Sequence, residues 1–312
     1  MQKEFDPSGY AVKNGNFIGL PYDEETAKII LLPVPWEATV SYATGTAQGP
    51  SNILEASYQL DLVDWKFGKA WETPIYMAPI DASIQALSET TRLLATQHID
   101  NLEQAKTIDI NLVNAVNKNS AKLNTWVYQR TKALLKKGKK IGLVGGEHSV
   151  PLGYLKALAE EEGEFGILQI DAHCDLRAAY EDFTYSHASI FYNVLEEIPQ
   201  IQQLVQVGVR DACQEEFDYA HSSRITLYGM NYIREQVYAQ FQTYHDICLQ
   251  IVDSLPQKVY ISFDIDGLDP KLCPNTGTPV PGGLEYMEAV HLLHQIISSG
   301  RTIIGFDLCE VG

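Results

Sequence analysis

No stretch of this chain approaches the roughly 18 uninterrupted apolar residues of a membrane-spanning helix. The opening residues, Met1-Gln2-Lys3-Glu4-Phe5-Asp6, lack the basic-then-apolar pattern of a secretion signal. Cysteine is sparse as well. Cys174, Cys213, Cys248, Cys273 and Cys309 form an odd set with no C-x-x-C pair, which argues against a disulfide framework and a zinc knuckle. A reducing cytoplasm is the expected compartment, with no membrane partner. Positive charge is also short: 23 Lys plus Arg stand against 40 Asp plus Glu, a formal net charge of −17. Such a surface repels a polyphosphate backbone, so no nucleic-acid partner is expected, and a cationic ligand is compatible. Internal repeats, low-complexity tracts and Pro/Gly/Ser linkers are missing. No G-x-G-x-x-G follows Gly145-Gly146 and no Walker pattern closes it, so nucleotide binding has little support.

What is present is a core. Of 312 residues, 45% are apolar and 20% charged, enough to bury a large interior. Short apolar or β-branched runs read as buried strands at Lys28 to Pro35, Ile141 to Val144, Phe165 to Ile170, Leu204 to Val209, Ile225 to Tyr228, Val259 to Phe263 and Thr302 to Leu308. Helical spacing occupies Leu123 to Leu135, Pro151 to Leu158, Tyr232 to Ile251 and Tyr286 to Ile297. Strand and helix in alternation predict an α/β domain with a parallel sheet covered on both faces. The polar stretch Ser88 to Lys118 has no strand of its own and reads as a helical excursion.

Acidic residues and histidines gather at the carboxyl ends of three predicted strands, where an open parallel sheet places its ligand crevice. The clusters are Gly145-Gly146-Glu147-His148-Ser149, Asp171-Ala172-His173-Cys174-Asp175 and Asp264-Ile265-Asp266-Gly267. In extended chain Asp171, His173 and Asp175 would share one side, as would Asp264 and Asp266, with Cys174 turned the other way into packing. Taken singly, a D-x-D or D-x-H pair is more often a turn, a cap or a surface ion pair. Three clusters at three strand ends are a different case. Four carboxylates brought together at the end of an apolar sheet repel one another unless cations or protons neutralise them. An oxygen-rich set with two imidazoles and no thiolate favours Mn²⁺ over structural zinc. More than one ion is expected, since paired ions about 3.5–4 Å apart lower the pKa of bound water toward about 7.

The motifs Gly-Gly-Glu-His-Ser, Asp-Ala-His-Cys-Asp, Ser-Phe-Asp-Ile-Asp-Gly-Leu-Asp-Pro and Thr-Gly-Thr-Pro-Val-Pro-Gly-Gly-Leu resemble the ureohydrolase family of arginases, agmatinases and formiminoglutamases. The likeness runs from Gly45-Thr46-Ala47-Gln48-Gly49-Pro50 to Asp307-Leu308-Cys309-Glu310-Val311. It implies a three-layer α/β/α sandwich with a mainly parallel eight-stranded sheet, two Mn²⁺ per subunit, and a homo-oligomer, usually a trimer or hexamer. It also implies the ligand sets: His148, Asp171, Asp175 and Asp264 for one ion, and Asp171, His173, Asp264 and Asp266 for the other. By the same likeness, Asp266 orients the attacking water, His187 handles a proton beside the departing amine, and Glu310 holds the guanidinium, with Thr278 lining the pocket. Family members usually continue past the Glu310 strand into a further helix, so the expectation is one domain over 1–312 lacking that helix.

Between the second cluster and His187 lies Leu176-Arg177-Ala178-Ala179-Tyr180-Glu181-Asp182-Phe183-Thr184-Tyr185-Ser186, without the Ser-Gly-Asn of arginases. Ser186-His187-Ala188-Ser189 stands where formiminoglutamases show Ser-Gly-Thr-Pro, and resembles agmatinases and aminopropylagmatine-directed enzymes. The substrate implied is a small cationic guanidinoalkylamine, with Glu181 or Asp182 meeting its distal ammonium. Arginase or formiminoglutamase activity, and a noncatalytic metal-binding scaffold, are the alternatives.

Overall fold

The computed structural model describes residues 5–222 and 224–312, the side chain of Ser222 excepted. Its strands are β1 (Ile29–Val34), β2 (Ile75–Met77), β3 (Lys140–Gly145), β4 (Phe165–Ile170), β5 (Ile201–Val207), β6 (Ile225–Tyr228), β7 (Lys258–Asp264) and β8 (Thr302–Cys309). Among the described residues they form one sheet in the order β2-β1-β3-β8-β7-β4-β5-β6, and every pairing is parallel. The sheet is therefore the eight-stranded one expected, entirely parallel where a mainly parallel one was anticipated.

Side-chain alternation sorts the core onto two faces. Phe165 and Ile167 of β4 join one apolar cluster, with Leu155 and Leu158 of α4 (Leu152–Glu162) and Val127 and Leu134 of a long preceding helix. Leu168 and Ile170 of the same strand join the opposite cluster, with Ile233, Ile247, Ile251, Leu292 and Ile296 from three later helices. Helices cover both faces because parallel strands need crossovers to return the chain.

The remaining helices are α1 (Gly49–Ser57), α2 (Ala82–Glu103), α3 (Ile110–Lys136), α5 (Ile190–Glu197), α6 (Gln214–Ser222), α7 (Met230–Tyr238), α8 (Tyr244–Asp253) and α9 (Tyr286–Ser298). The helical excursion over Ser88 to Lys118 is real: it is the body of α2 and the start of α3. Asp81 caps α2, accepting from the backbone of Ser83 and Ile84, and Asp109 starts α3 in the same manner. The single helix expected over Tyr232 to Ile251 is instead two. Phe241 takes a left-handed φ of 56°, and Thr243 and Asp246 form a reciprocal capping box that restarts the chain as α8. β2 is the strand that sequence patterning passed over.

Candidate active site

The strand order sets β3, β8, β7 and β4 side by side, so the turns that follow them open onto one crevice. This crevice is a cavity of about 430 Å³ lined by His148, His173, Asp175, His187, Asp264, Asp266, Thr278 and Glu310, and also by Arg177, Tyr180, Asp211 and Glu216. The expected ligands do converge. His148 Nδ1 lies 3.0 Å from Asp171 Oδ2, 3.1 Å from Asp175 Oδ2 and 3.3 Å from Asp264 Oδ2. His173 Nδ1 lies 3.1 Å from Asp266 Oδ2 and 3.5 Å from Asp171 Oδ1.

Convergence arises differently from the extended-chain expectation. β4 ends at Ile170, and Asp175 adopts a left-handed φ of 54°, so a turn and not a pleat aims the second cluster. Asp264 closes β7, and Asp266 lies in the 3₁₀ turn after it, its backbone N–H donating to Asp264 Oδ1 at 2.9 Å. Backbone and amide donors fix the other carboxylates. Asp171 accepts from His173 N at 2.7 Å and Gln169 Nε2 at 2.8 Å, and Asp266 Oδ1 accepts from Ala172 N at 3.0 Å. Cys174 is buried in the apolar core, as its place between ligands predicted.

Electrostatically the site calls for cations. Burial and the charge of Asp171 push Asp175 up to about 7. Burial, with Asp266 and Asp171 nearby, drives Asp264 well above the ordinary carboxylate range. Burial also works against Asp171, yet His148 and His173 hold it below that range. Two triplets of donor atoms, His148–Asp171–Asp175 and Asp171–His173–Asp266, each lie within 4.8 Å, and Asp171 belongs to both. Adjacent buried groups sharing a carboxylate fit two divalent ions. Behind the first triplet, Ser262 Oγ donates to Asp307 Oδ2 at 2.7 Å and lies 2.9 Å from His148 Nε2. The serine proton is thereby committed, so Nε2 must be the donor and Nδ1 is left to face the carboxylates.

Glu310, with φ 61° just past β8, accepts from His148 N through Oε1 at 2.9 Å, while its buried Oε2 has no hydrogen-bond partner. His187 opens a short 3₁₀ turn, and burial together with His173 pulls its pKa down to about 3. Glu181 and Asp182 do not line the cavity. They sit at φ 50° and 63° in a tight turn between Tyr180 and Phe183, and Asp182 reaches His98 of α2 at 3.1 Å. The sequence signals no role for several residues of the site: Thr39 beside His187, Arg210, and the Ser262–Asp307 pair, whose members stand inside quoted motifs. The Arg210 guanidinium donates to the carbonyls of Asp266 at 2.7 Å and Val280 at 2.6 Å, tying two rims together. Glu147, inside a quoted motif, carried a signal without a role.

A profile of the Arginase family matches residues 27–312. Over 294 residues the chain is 31% identical to the N(1)-aminopropylagmatine ureohydrolase of Thermus thermophilus, spanning 93% of this chain and 84% of that protein. It is 28% identical to the agmatinase of Bacillus subtilis over 305 residues, 95% of this chain and 87% of that one. The crystal structure of the agmatine ureohydrolase of Thermoplasma volcanium superposes with a TM-score of 0.73 at 22% identity, covering 95% of this chain and 86% of that one.

Proposed function

Since this chain belongs to the arginase family and is a ureohydrolase, hydrolysing a guanidino carbon–nitrogen bond, we propose that its substrate is agmatine or aminopropylagmatine and its products urea and an amine. The observation that carries this reading is the shared Asp171 between two donor triplets, buried except for half-buried His173, beside a carboxylate oxygen of Glu310 that accepts nothing.

His148, Asp171, Asp175 and Asp264 would hold one ion, and Asp171, His173, Asp264 and Asp266 the other, with Mn²⁺ suited to so oxygen-rich a set. When bound, the pair would supply Lewis-acid activation of water and offset the carboxylate charge. Glu310 Oε2 accepts from the guanidinium, a planar donor that carboxylates recognise well. Asp266 accepts a hydrogen bond from the attacking water and orients it toward the guanidinium carbon. His187 takes up a proton released as the attacking water adds to the guanidinium carbon and passes it to the amine nitrogen as the carbon–nitrogen bond breaks, which makes it a competent leaving group. We assign a distal ammonium to Asp211, which lines the cavity, because Glu216 already accepts from Leu176 N at 3.1 Å and Cys213 N at 3.0 Å.

A second reading draws on Arg177. Its side chain lines the cavity, stacked 4.9 Å from the Tyr180 ring, and a free guanidinium there would suit a carboxylate-bearing substrate such as arginine. Glu216 lies 3.7 Å from its Nε and offsets that charge, which favours the amine. Urea release from agmatine, aminopropylagmatine, arginine and 4-guanidinobutyrate by Mn²⁺-loaded protein decides between them; dominant turnover of either acid would overturn the amine assignment. His148→Ala and Asp266→Ala should lose metal content and turnover together, and undiminished hydrolysis in either would refute the site.

A further inference from the structure

Thr39 lies in the turn after β1, beside the crevice and far from the metal clusters in sequence. Its environment is unusual for a threonine. Glu147, fully buried, receives three donors: Thr39 N at 2.6 Å, Thr39 Oγ1 at 2.8 Å and Ser149 Oγ at 2.6 Å. Thr39 N can only donate, and toward the ionised carboxylate both hydroxyls donate as well, so ionised Glu147 is the acceptor of all three. The one hydroxyl proton of Thr39 is therefore spent on Glu147. What the oxygen offers on its other side is lone pairs, and these face His187: the His187 backbone N–H donates to Oγ1 at 3.1 Å, and ring Nδ1 lies 3.3 Å away.

An acceptor opposite Nδ1 selects the tautomer that carries its proton there, which leaves the lone pair on Nε2. Among the described residues the other hydrogen-bond neighbour of Nδ1 is Ser186 Oγ at 3.4 Å, which already accepts from Ala188 N at 3.2 Å and, at the longer distance, competes more weakly than Thr39 for the ring. The charged and titratable groups around the ring are His173, His148 and Arg92, with Tyr180 edge-on at 5.8 Å. The threonine itself is held from outside. Arg92 of α2 donates to the carbonyls of Val40 and Ala38, and Ser88 of the same helix accepts from Glu37 N at 3.1 Å. The helical excursion thus clamps the turn bearing Thr39.

We infer that Thr39, oriented by Glu147 and braced by Arg92, is a positioning residue that fixes the His187 ring in its Nδ1-protonated tautomer, so that Nε2 is the atom that exchanges protons in the crevice. The inference rests on the ureohydrolase reading only for its kinetic consequence. Thr39→Val keeps the shape and deletes the hydroxyl; Thr39→Ser keeps the hydroxyl.

The tautomer is read from long-range ¹H–¹⁵N spectra of ¹⁵N-histidine-labelled protein loaded with diamagnetic Mg²⁺, with His187 assigned by its loss in His187→Gln. Expected is an Nδ1–H, bare-Nε2 signature in the unsubstituted protein and in Thr39→Ser, and a mixed or inverted one in Thr39→Val. In Mn²⁺-loaded enzyme kcat should fall about 10- to 100-fold in Thr39→Val with KM within about twofold, since positioned acid–base groups contribute on this scale, and Thr39→Ser should recover most of it. An unchanged His187 signature in Thr39→Val, or a loss expressed in KM alone, would overturn the proposal. Should the unsubstituted enzyme hydrolyse no guanidino compound, the substrate reading falls while the spectra still decide the role of Thr39.

Discussion

Ser262 shows how much of this site depends on residues that touch no substrate. It donates to Asp307 and faces His148 Nε2 at 2.9 Å, with Asp307 Oδ1 3.6 Å from the same nitrogen, so the pair holds Nε2 as donor and turns Nδ1 to the ligand carboxylates. Ser262→Ala should weaken metal affinity about 10- to 100-fold, the usual effect of losing such support, measured by titration of chelator-treated protein; unaltered affinity would show that the ring is fixed without it. Glu310→Gln should lower kcat/KM about 10- to 100-fold, because a charge-assisted hydrogen bond to the guanidinium becomes a neutral one while the bond from His148 N persists. The metal-ligand candidates could be read from the sequence because ligand chemistry resides in the side-chain type and its spacing. Thr39 could not, since a threonine's role here comes entirely from what it faces.

At the scale of elements, the glycines of Gly145-Gly146-Glu147 serve packing. A Cβ on Gly146 would lie 2.0 Å from the Trp36 carbonyl oxygen, where the β3 turn passes the chain leaving β1. Gly146→Ala should destabilise the fold by about 1–3 kcal/mol, seen as a lowered thermal midpoint, as overpacking against immobile backbone does. The strands that flank the site were legible because strands buried on both faces are nearly all apolar. β2 was not, with only Ile75–Met77 in pairing and Thr73-Pro74 before it masking any alternation. The break between α7 and α8 was hidden for the opposite reason: apolar spacing continues across it, and a left-handed residue with a cap decides the matter locally.

For the whole molecule the dominant fact is concentrated buried charge. Burial pushes Asp175, Glu147 and Glu181 each up to about 7 from ordinary values near 4. Folded protein then binds more protons than unfolded chain between about pH 4 and 7, so these groups make stability fall as pH rises through that window. His187, pulled down to about 3, acts in the reverse sense between about 3 and 6.5 and is outnumbered. Protein stripped by a chelator should therefore lose thermal stability from pH 4.5 to 7.5, and added Mn²⁺ should restore it most at the upper end, where ligands are deprotonated. A stripped protein whose stability rises monotonically over that range would contradict the burial of these carboxylates. No helix among the described residues is long and apolar enough to cross a membrane.

The sequence alone determined the alternation of strand and helix, the placement of acid and imidazole at strand ends, and the family to which these motifs point. Those properties depend on residue type and near spacing, which the linear chain carries. Tertiary structure decided the rest: that β3, β8, β7 and β4 are neighbours, that Asp182 reaches His98 of α2, and that a distant threonine meets His187. Each of these follows from strand order and from left-handed turns, and neither leaves a periodic mark in the sequence.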